Sequence, residues 1–262
     1  MRASATSAGG LVVPRVPWSE LGPEFTREWG RPNGKPEPEH VEILGPTGCG
    51  KTYLQAHMLA DRVRMRHSGV IIVCTKPADG TIRKLGWPIV SDWKGVKRHD
   101  QVIFWPRTRS IGAAREEFHA KRIQELLDRL WHPESNNILT FDEFAYVQNL
   151  NTDIRKTLDM YLREARSSGI TLVLMKQRPQ GATREMHAET SWKVSFKPSD
   201  HQDAERTAEL FGRKREWVDI LEHLNPEKHE FLIQRKLTGT AFISWVDTPL
   251  KPAKINEGYR RR

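Results

Sequence analysis

Eight residues constrain this chain more than any others: Gly45-Pro46-Thr47-Gly48-Cys49-Gly50-Lys51-Thr52. They fit the pattern G-x-x-x-x-G-K-[ST], and their flanks suit it. Val41 to Leu44 reads as a short strand, and Lys51 to His67 as an amphipathic helix. A strand that enters a glycine loop and leaves as a helix turns backbone N–H groups inward, making an anion site at the helix amino terminus. Glycines at 45, 48 and 50 allow that wrapping. Lys51 then reaches the β- and γ-phosphates and the Thr52 hydroxyl binds Mg²⁺, so ATP and Mg²⁺ are the expected cofactors.

Such a loop needs a sheet behind it, and the sequence supplies one. Val70 to Cys74, Val102 to Trp105, Ile138 to Phe141 and Ile170 to Met175 read as further strands. Ala113 to Trp131 reads as a long helix, with Phe118, Ile123, Leu126, Leu127 and Leu130 at helical spacing, and Ile154 to Ser167 as another. Apart from Thr171, the run from Ile170 is wholly apolar, as in a strand buried on both faces. This alternation predicts an α/β fold, a mainly parallel sheet flanked by helices. Further on, Trp192 to Phe196, Glu230 to Gln234 and Ala241 to Val246 read as strands, with helices at Asp203–Phe211 and Glu216–Leu224. The last two strands, joined by residues 235–240, form a C-terminal β-hairpin. The expected domain is 40–250, followed by a basic tail, 251–262, that ends in Arg260-Arg261-Arg262. Residues 1–39 are dense in proline and glycine and predict an extended arm, either free or laid on a neighbouring subunit through Val12, Val13 and Trp18.

The strand Ile138 to Phe141 ends in Asp142-Glu143. Asp142 suits a Mg²⁺ ligand at the carboxyl end of a strand, and Glu143 suits a base that polarises water for attack on the γ-phosphate. Asp142 would equally serve as the N-cap of a following helix, but the phosphate loop roughly 90 residues upstream favours the metal. Two residues further along are also of interest. Gln177, at the end of the next strand, would touch the γ-phosphate or make a local loop hydrogen bond. Arg166, taken alone, reads as a solvated cation at a helix end.

Composition narrows the class of partner. The net charge of +9 over 262 residues, spread along the chain, favours a polyanion. Cys49 and Cys74 are the only cysteines and the ten histidines lack metal-ligand spacing, which argues against a disulfide framework or a zinc site. No signal-like apolar stretch opens the chain and no run is long enough to span a bilayer, so a reduced cytoplasmic setting and no membrane insertion are expected. Basic residues gather at Arg83-Lys84, Lys94 to Arg98, Arg107 to Arg115 and Arg213-Lys214-Arg215. Trp87, Trp93 and Trp105 lie nearby and would stack on bases or, more simply, fill core or interface.

Arg166-Ser167-Ser168-Gly169-Ile170 followed by Lys176-Gln177-Arg178-Pro179 resembles the R-x-x-G-I…Q-R-P signature of FtsK/HerA-type DNA-translocating ATPases. That superfamily includes chromosome and conjugative DNA pumps and some viral genome-packaging ATPases. The resemblance runs from about residue 40 to 245. It implies a RecA-like P-loop NTPase, with Gln177 sensing the γ-phosphate and Arg166 acting in trans as an arginine finger, Arg163 being the reserve. It also implies a homo-oligomeric ring (pentamer or hexamer), double-stranded DNA as partner, and a portal or pore on which the ring docks, in host cytoplasm if the chain is viral. One departure is Cys74-Thr75-Lys76-Pro77, where many relatives carry an acid. AAA+ proteins share the Walker motifs but continue into a helical lid, whereas this chain returns to strands. The expected activity is ATP-driven movement of double-stranded DNA. The alternatives are a protein-remodelling or assembly ATPase and a nucleotide-gated binding module with slow hydrolysis.

Overall fold

The β-branched runs of the sequence lie side by side, as their apolarity on both faces requires. The computed structural model describes residues 5–8, 10–30, 39–65, 68–77, 80–96, 101–179, 184–212 and 215–253. The chain opens with β1 (Ala5–Ala8), β2 (Leu11–Pro14) and α1 (Trp18–Gly30), then β3 (His40–Leu44), α2 (Lys51–Met65) and β4 (Gly69–Val73). There follow α3 (Gly80–Arg83), β5 (Ile89–Val90), β6 (Gln101–Phe104), α4 (Gly112–Leu130), β7 (Asn137–Phe141), α5 (Phe144–Gln148) and α6 (Thr152–Glu164). The last part holds β8 (Thr171–Lys176), α7 (Arg184–Glu189), β9 (Thr190–Phe196), α8 (His201–Leu210), α9 (Arg215–Glu222), β10 (Phe231–Arg235) and β11 (Ala241–Ser244).

A nine-stranded sheet has the order β11-β10-β9-β3-β8-β7-β4-β6-β5. From β9 to β5 every pairing is parallel; β10 and β11 add antiparallel strands at one edge, the expected hairpin. Side chains alternate between the faces, and β4 shows it directly. Val70 and Ile72 join the core under α1 and α2, while Ile71 and Val73 join the core under α4, α5 and α6. A third core, around Trp217, Leu221 and Leu232, seats α8 and α9. The strand carrying Asp142 is not beside the phosphate-loop strand: β8 lies between them, putting Gln177 midway between the loop and the acidic pair.

The extended arm expected for residues 1–39 is corrected in its described part. β1 and β2 form a hairpin, and α1 packs on the chain's own body. Trp18, Leu21, Phe25 and Trp29 recur at spacings of three and four and are buried, with Phe25 stacked on Trp29 at 5.5 Å and set edge-on to Trp192 at 4.8 Å. Val13 is buried beside Leu232, whereas Val12 is exposed. Pro23 sits inside the helix, where a proline lacks one intrahelical donor; aromatic burial outweighs that loss. The remaining prolines, at 32, 36 and 38, and residues 254–262 of the tail lie outside the described residues. Among the described residues no helix is long and apolar enough to cross a membrane.

Candidate active site

All the parallel strands point their carboxyl ends to one edge, and the phosphate loop leaves β3 there. At Gly45 the backbone takes a φ of 151°, and a Cβ would lie 2.7 Å from the Phe196 Cβ and 2.8 Å from the Cys49 Sγ. Only glycine fits, because the backbone is left-handed and the space is filled. The Lys51 Nζ donates to the carbonyls of Gly45 at 2.5 Å and Pro46 at 2.7 Å, so the ammonium lies within its own loop. Burial draws its pKa down. Two further bonds tie down the loop: the Gly45 N–H to the Lys176 carbonyl at 3.2 Å, and His229 Nδ1 against the Cys49 carbonyl at 3.0 Å.

The acidic pair leaves β7 at the same edge. Asp142 Oδ1 accepts from the Thr75 N–H at 3.2 Å and from the Thr75 hydroxyl at 3.3 Å. Burial pushes the Asp142 carboxyl up to about 6, with Thr75 and Lys76 opposing. Asp142 does not cap a helix: Glu143 occupies the N-cap of α5, and its side chain makes no capping bond. That carboxylate turns to Gln177 instead. Gln177 Nε2 donates to Glu143 Oε2 at 2.6 Å, and Gln177 Oε1 accepts from the Thr47 hydroxyl at 3.3 Å. One amide therefore joins the phosphate loop to the acidic pair across the width of β8, which a merely local loop contact would not do.

Thr47, Gly48, Gly50, Lys51 and Thr52 face Asp142, Glu143 and Gln177 across a cleft of about 310 Å³. Its donor set suits a nucleotide polyphosphate. Lys176 reaches the cleft as a buried ammonium with no hydrogen-bond partner among the described residues, over the Phe144 ring at 5.6 Å, and burial draws its pKa down to about 8. An orphaned cation beside Lys51 and Lys76 leaves positive charge for an anion to balance. Thr52 and Asp142, a hydroxyl and a carboxylate on one wall system, are ligand types that Mg²⁺ takes. Sequence reasoning gave no role to Thr75 or Lys176, though both fall in stretches compared with the family, and noted of Lys76 only that it fits the lysine of relatives; all three stand just past or at the carboxyl ends of β4 and β8.

Arg166 is not brought into this cluster. It lies in the turn between α6 and β8, at the amino edge of the sheet, with its Nη2 3.9 Å from Glu189 Oε2. It also faces the buried His40 at the start of β3. A strand of five residues separates the two edges by roughly 16 Å, so Arg166 does not serve its own cleft. Arg163 is exposed on the last turn of α6. Of the basic stretches, Arg107 to Arg115 flanks the cleft beyond Thr75, while Lys97, Arg98, Arg213 and Lys214 lie outside the described residues. Trp87 is a core residue that donates to the Ala253 carbonyl, whereas Trp105 is partly open beneath Arg107, 4.4 Å from the ring centre.

A Walker-type loop and an acidic pair, set around an intervening strand of a mainly parallel sheet, define a P-loop NTPase with a RecA-like core. Several solved structures share this fold. The genome packaging NTPase B204 of Sulfolobus turreted icosahedral virus 2, in complex with AMPPCP, matches with a TM-score of 0.59 and 16% identity, over 82% of this chain and 98% of that one. VirB4 of Thermoanaerobacter pseudethanolicus matches with a TM-score of 0.60 and 11% identity, over 80% and 89%. EssC of Geobacillus thermodenitrificans (ATPases 2 and 3) matches with a TM-score of 0.56 and 15% identity, over 82% of this chain and 40% of that one. These neighbours are consistent with the FtsK/HerA-type resemblance carried by Arg166 to Pro179. No family model and no curated protein sequence matches the chain.

Proposed function

We propose that this chain is an ATPase motor that moves double-stranded DNA, working as a ring with ATP held at subunit interfaces. The observation that carries the reading is the Gln177 amide, bonded on one side to Thr47 and on the other to Glu143. Such a bridge lets the state of the γ-phosphate reach the catalytic carboxylate and the end of β8 together. In this reading Gly45, Pro46, Thr47, Gly48, Cys49 and Gly50 cradle the phosphates, and Lys51 leaves its loop carbonyls to pair with them. Thr52 and Asp142 would hold Mg²⁺, which would supply neutralisation of the phosphate charge. Glu143 orients the attacking water and takes its proton once Gln177 turns to the γ-phosphate. Arg166, remote from its own cleft, completes the cleft of the next subunit, a contribution worth about 10³–10⁵ in rate for such fingers. B204 is described as a DNA-packaging ATPase, which favours DNA as the cargo and a portal or pore as the docking partner. A type VII secretion ATPase, EccC, is also among the similar structures; the second reading is an ATPase that acts on protein in place of DNA.

The test is steady-state ATP hydrolysis by the purified chain, with and without long linear duplex DNA. Duplex should raise turnover, and Glu143→Gln should lower it at least about 100-fold. Mixing Glu143→Gln with Arg166→Ala should restore activity at roughly a quarter of interfaces, because head-to-tail packing pairs each cleft with one neighbour. Glu143-dependent turnover indifferent to duplex would favour protein cargo, and no recovery on mixing would remove the role in trans.

A further inference from the structure

A second cleft, about 680 Å³, opens beside the nucleotide cleft and shares Lys76 with it. Its walls are the stretch from Trp105 to Ile111, Arg115 and His119 of α4, and residues 75–77; among the described residues no aspartate or glutamate lines it. Among the described residues, Arg107 and Arg109 make no ion pair, Lys76 faces the Asp142 carboxylate from the shared wall, and all three are exposed. The Arg107 Cζ sits over the Trp105 ring, 4.4 Å from its centre, a contact that holds a guanidinium without neutralising it. The amino end of α4 opens on the same side: its N-cap, Ile111, makes no side-chain cap and stands 84% exposed, and the first turn holds no acid. Three exposed cations, an uncapped helix amino terminus and a partly open indole form a surface for a run of phosphates, not for one small anion.

The back wall of this cleft connects to the nucleotide site through one residue. Arg115 Nη2 donates to the Thr75 carbonyl at 2.7 Å, and the Thr75 N–H and hydroxyl donate to Asp142 Oδ1. A phosphate that draws on Arg115 therefore pulls on the peptide that positions Asp142. We propose that this cleft grips the phosphate backbone of duplex DNA, with Arg107, Arg109 and Lys76 as contacts and the Arg115–Thr75–Asp142 chain as its link to the nucleotide. The proposal rests on the DNA-motor reading and places the DNA contact on the chain.

The test compares Arg107→Ala/Arg109→Ala with wild type and with Arg206→Ala/Lys228→Ala, which removes equal charge from exposed sites elsewhere. Binding of a short fluorescent duplex is followed by anisotropy through a salt titration, and ATP hydrolysis is measured without DNA. The cleft variant should bind at least about tenfold more weakly, and its log K against log salt slope should be shallower by about two, as two lost phosphate contacts require. Its DNA-free hydrolysis should equal wild type, and the control variant should bind as wild type does. Wild-type affinity and slope in the cleft variant, with hydrolysis still stimulated by duplex, would overturn the cleft and leave the motor standing. A wild-type protein that neither binds duplex nor responds to it would overturn both.

Discussion

Glu42 lies fully buried in β3, where a carboxylate survives only with partners. Burial would raise its pKa, but Lys193 Nζ at 2.8 Å and His187 Nδ1 at 3.0 Å outweigh burial and hold it at about 2. Because the fold depresses this pKa from 4.5, its contribution is complete above about 4.5 and is lost as the pH falls towards 2. Two residues earlier, His40 is held at about 3, first by burial and then by Arg166, and its Nδ1 accepts from the Leu172 N–H. The unfolded chain takes up that proton from about 6.5 downward, so stability drains between 6.5 and 3. Both groups push the same way: the urea midpoint should fall steadily from pH 7 to pH 4. At pH 7, Glu42→Gln strands Lys193 and should cost about 3–5 kcal/mol. A flat midpoint over that range, or a loss below about 1 kcal/mol in the variant, would contradict this account of the buried pair.

At the scale of elements, α1 ties the amino-terminal segment to the sheet. Trp18 packs on Phe25 at 5.4 Å and on Phe231 at 5.8 Å, while Ser19 bonds Asp247 through both its N–H and its hydroxyl. Trp18→Ala should therefore lose about 3–5 kcal/mol in denaturant unfolding. A loss under about 1 kcal/mol would mean that the helix is an appendage. The sequence obscured this helix because proline density dominates residues 1–39, although Trp18, Leu21, Phe25 and Trp29 carry a helical spacing. β4, β7 and β8 were legible because each is a short, mainly apolar run buried on both faces, and β3 because Val41 to Leu44 leads straight into the glycine loop. β5 was not, since two residues carry no period. In the site, the phosphate loop and Asp142-Glu143 were legible because local spacing encodes them. The Thr75–Asp142 bonds and the unpartnered Lys176 arise from strand order, which no local pattern records.

On the scale of the whole molecule, the sheet separates two functions by the length of its strands. The nucleotide cleft and the basic cleft share the carboxyl edge, while Arg166 sits at the amino edge. In the proposed motor, a cleft at one edge and Arg166 at the other would let head-to-tail contact complete each site, an arrangement that closes into a ring when the rotation permits. In the same proposal, the neighbouring basic cleft would carry each change at the γ-phosphate to the cargo through Thr75 and Asp142. Movement is the central claim, and strand displacement tests it most directly. A linear duplex bearing a third strand at one end would be mixed with the protein and ATP, and release of that strand followed over time. The account predicts ATP-dependent release by wild type and none by Glu143→Gln. Duplex-stimulated hydrolysis that never releases the third strand would contradict it, leaving an ATPase that holds DNA without moving along it.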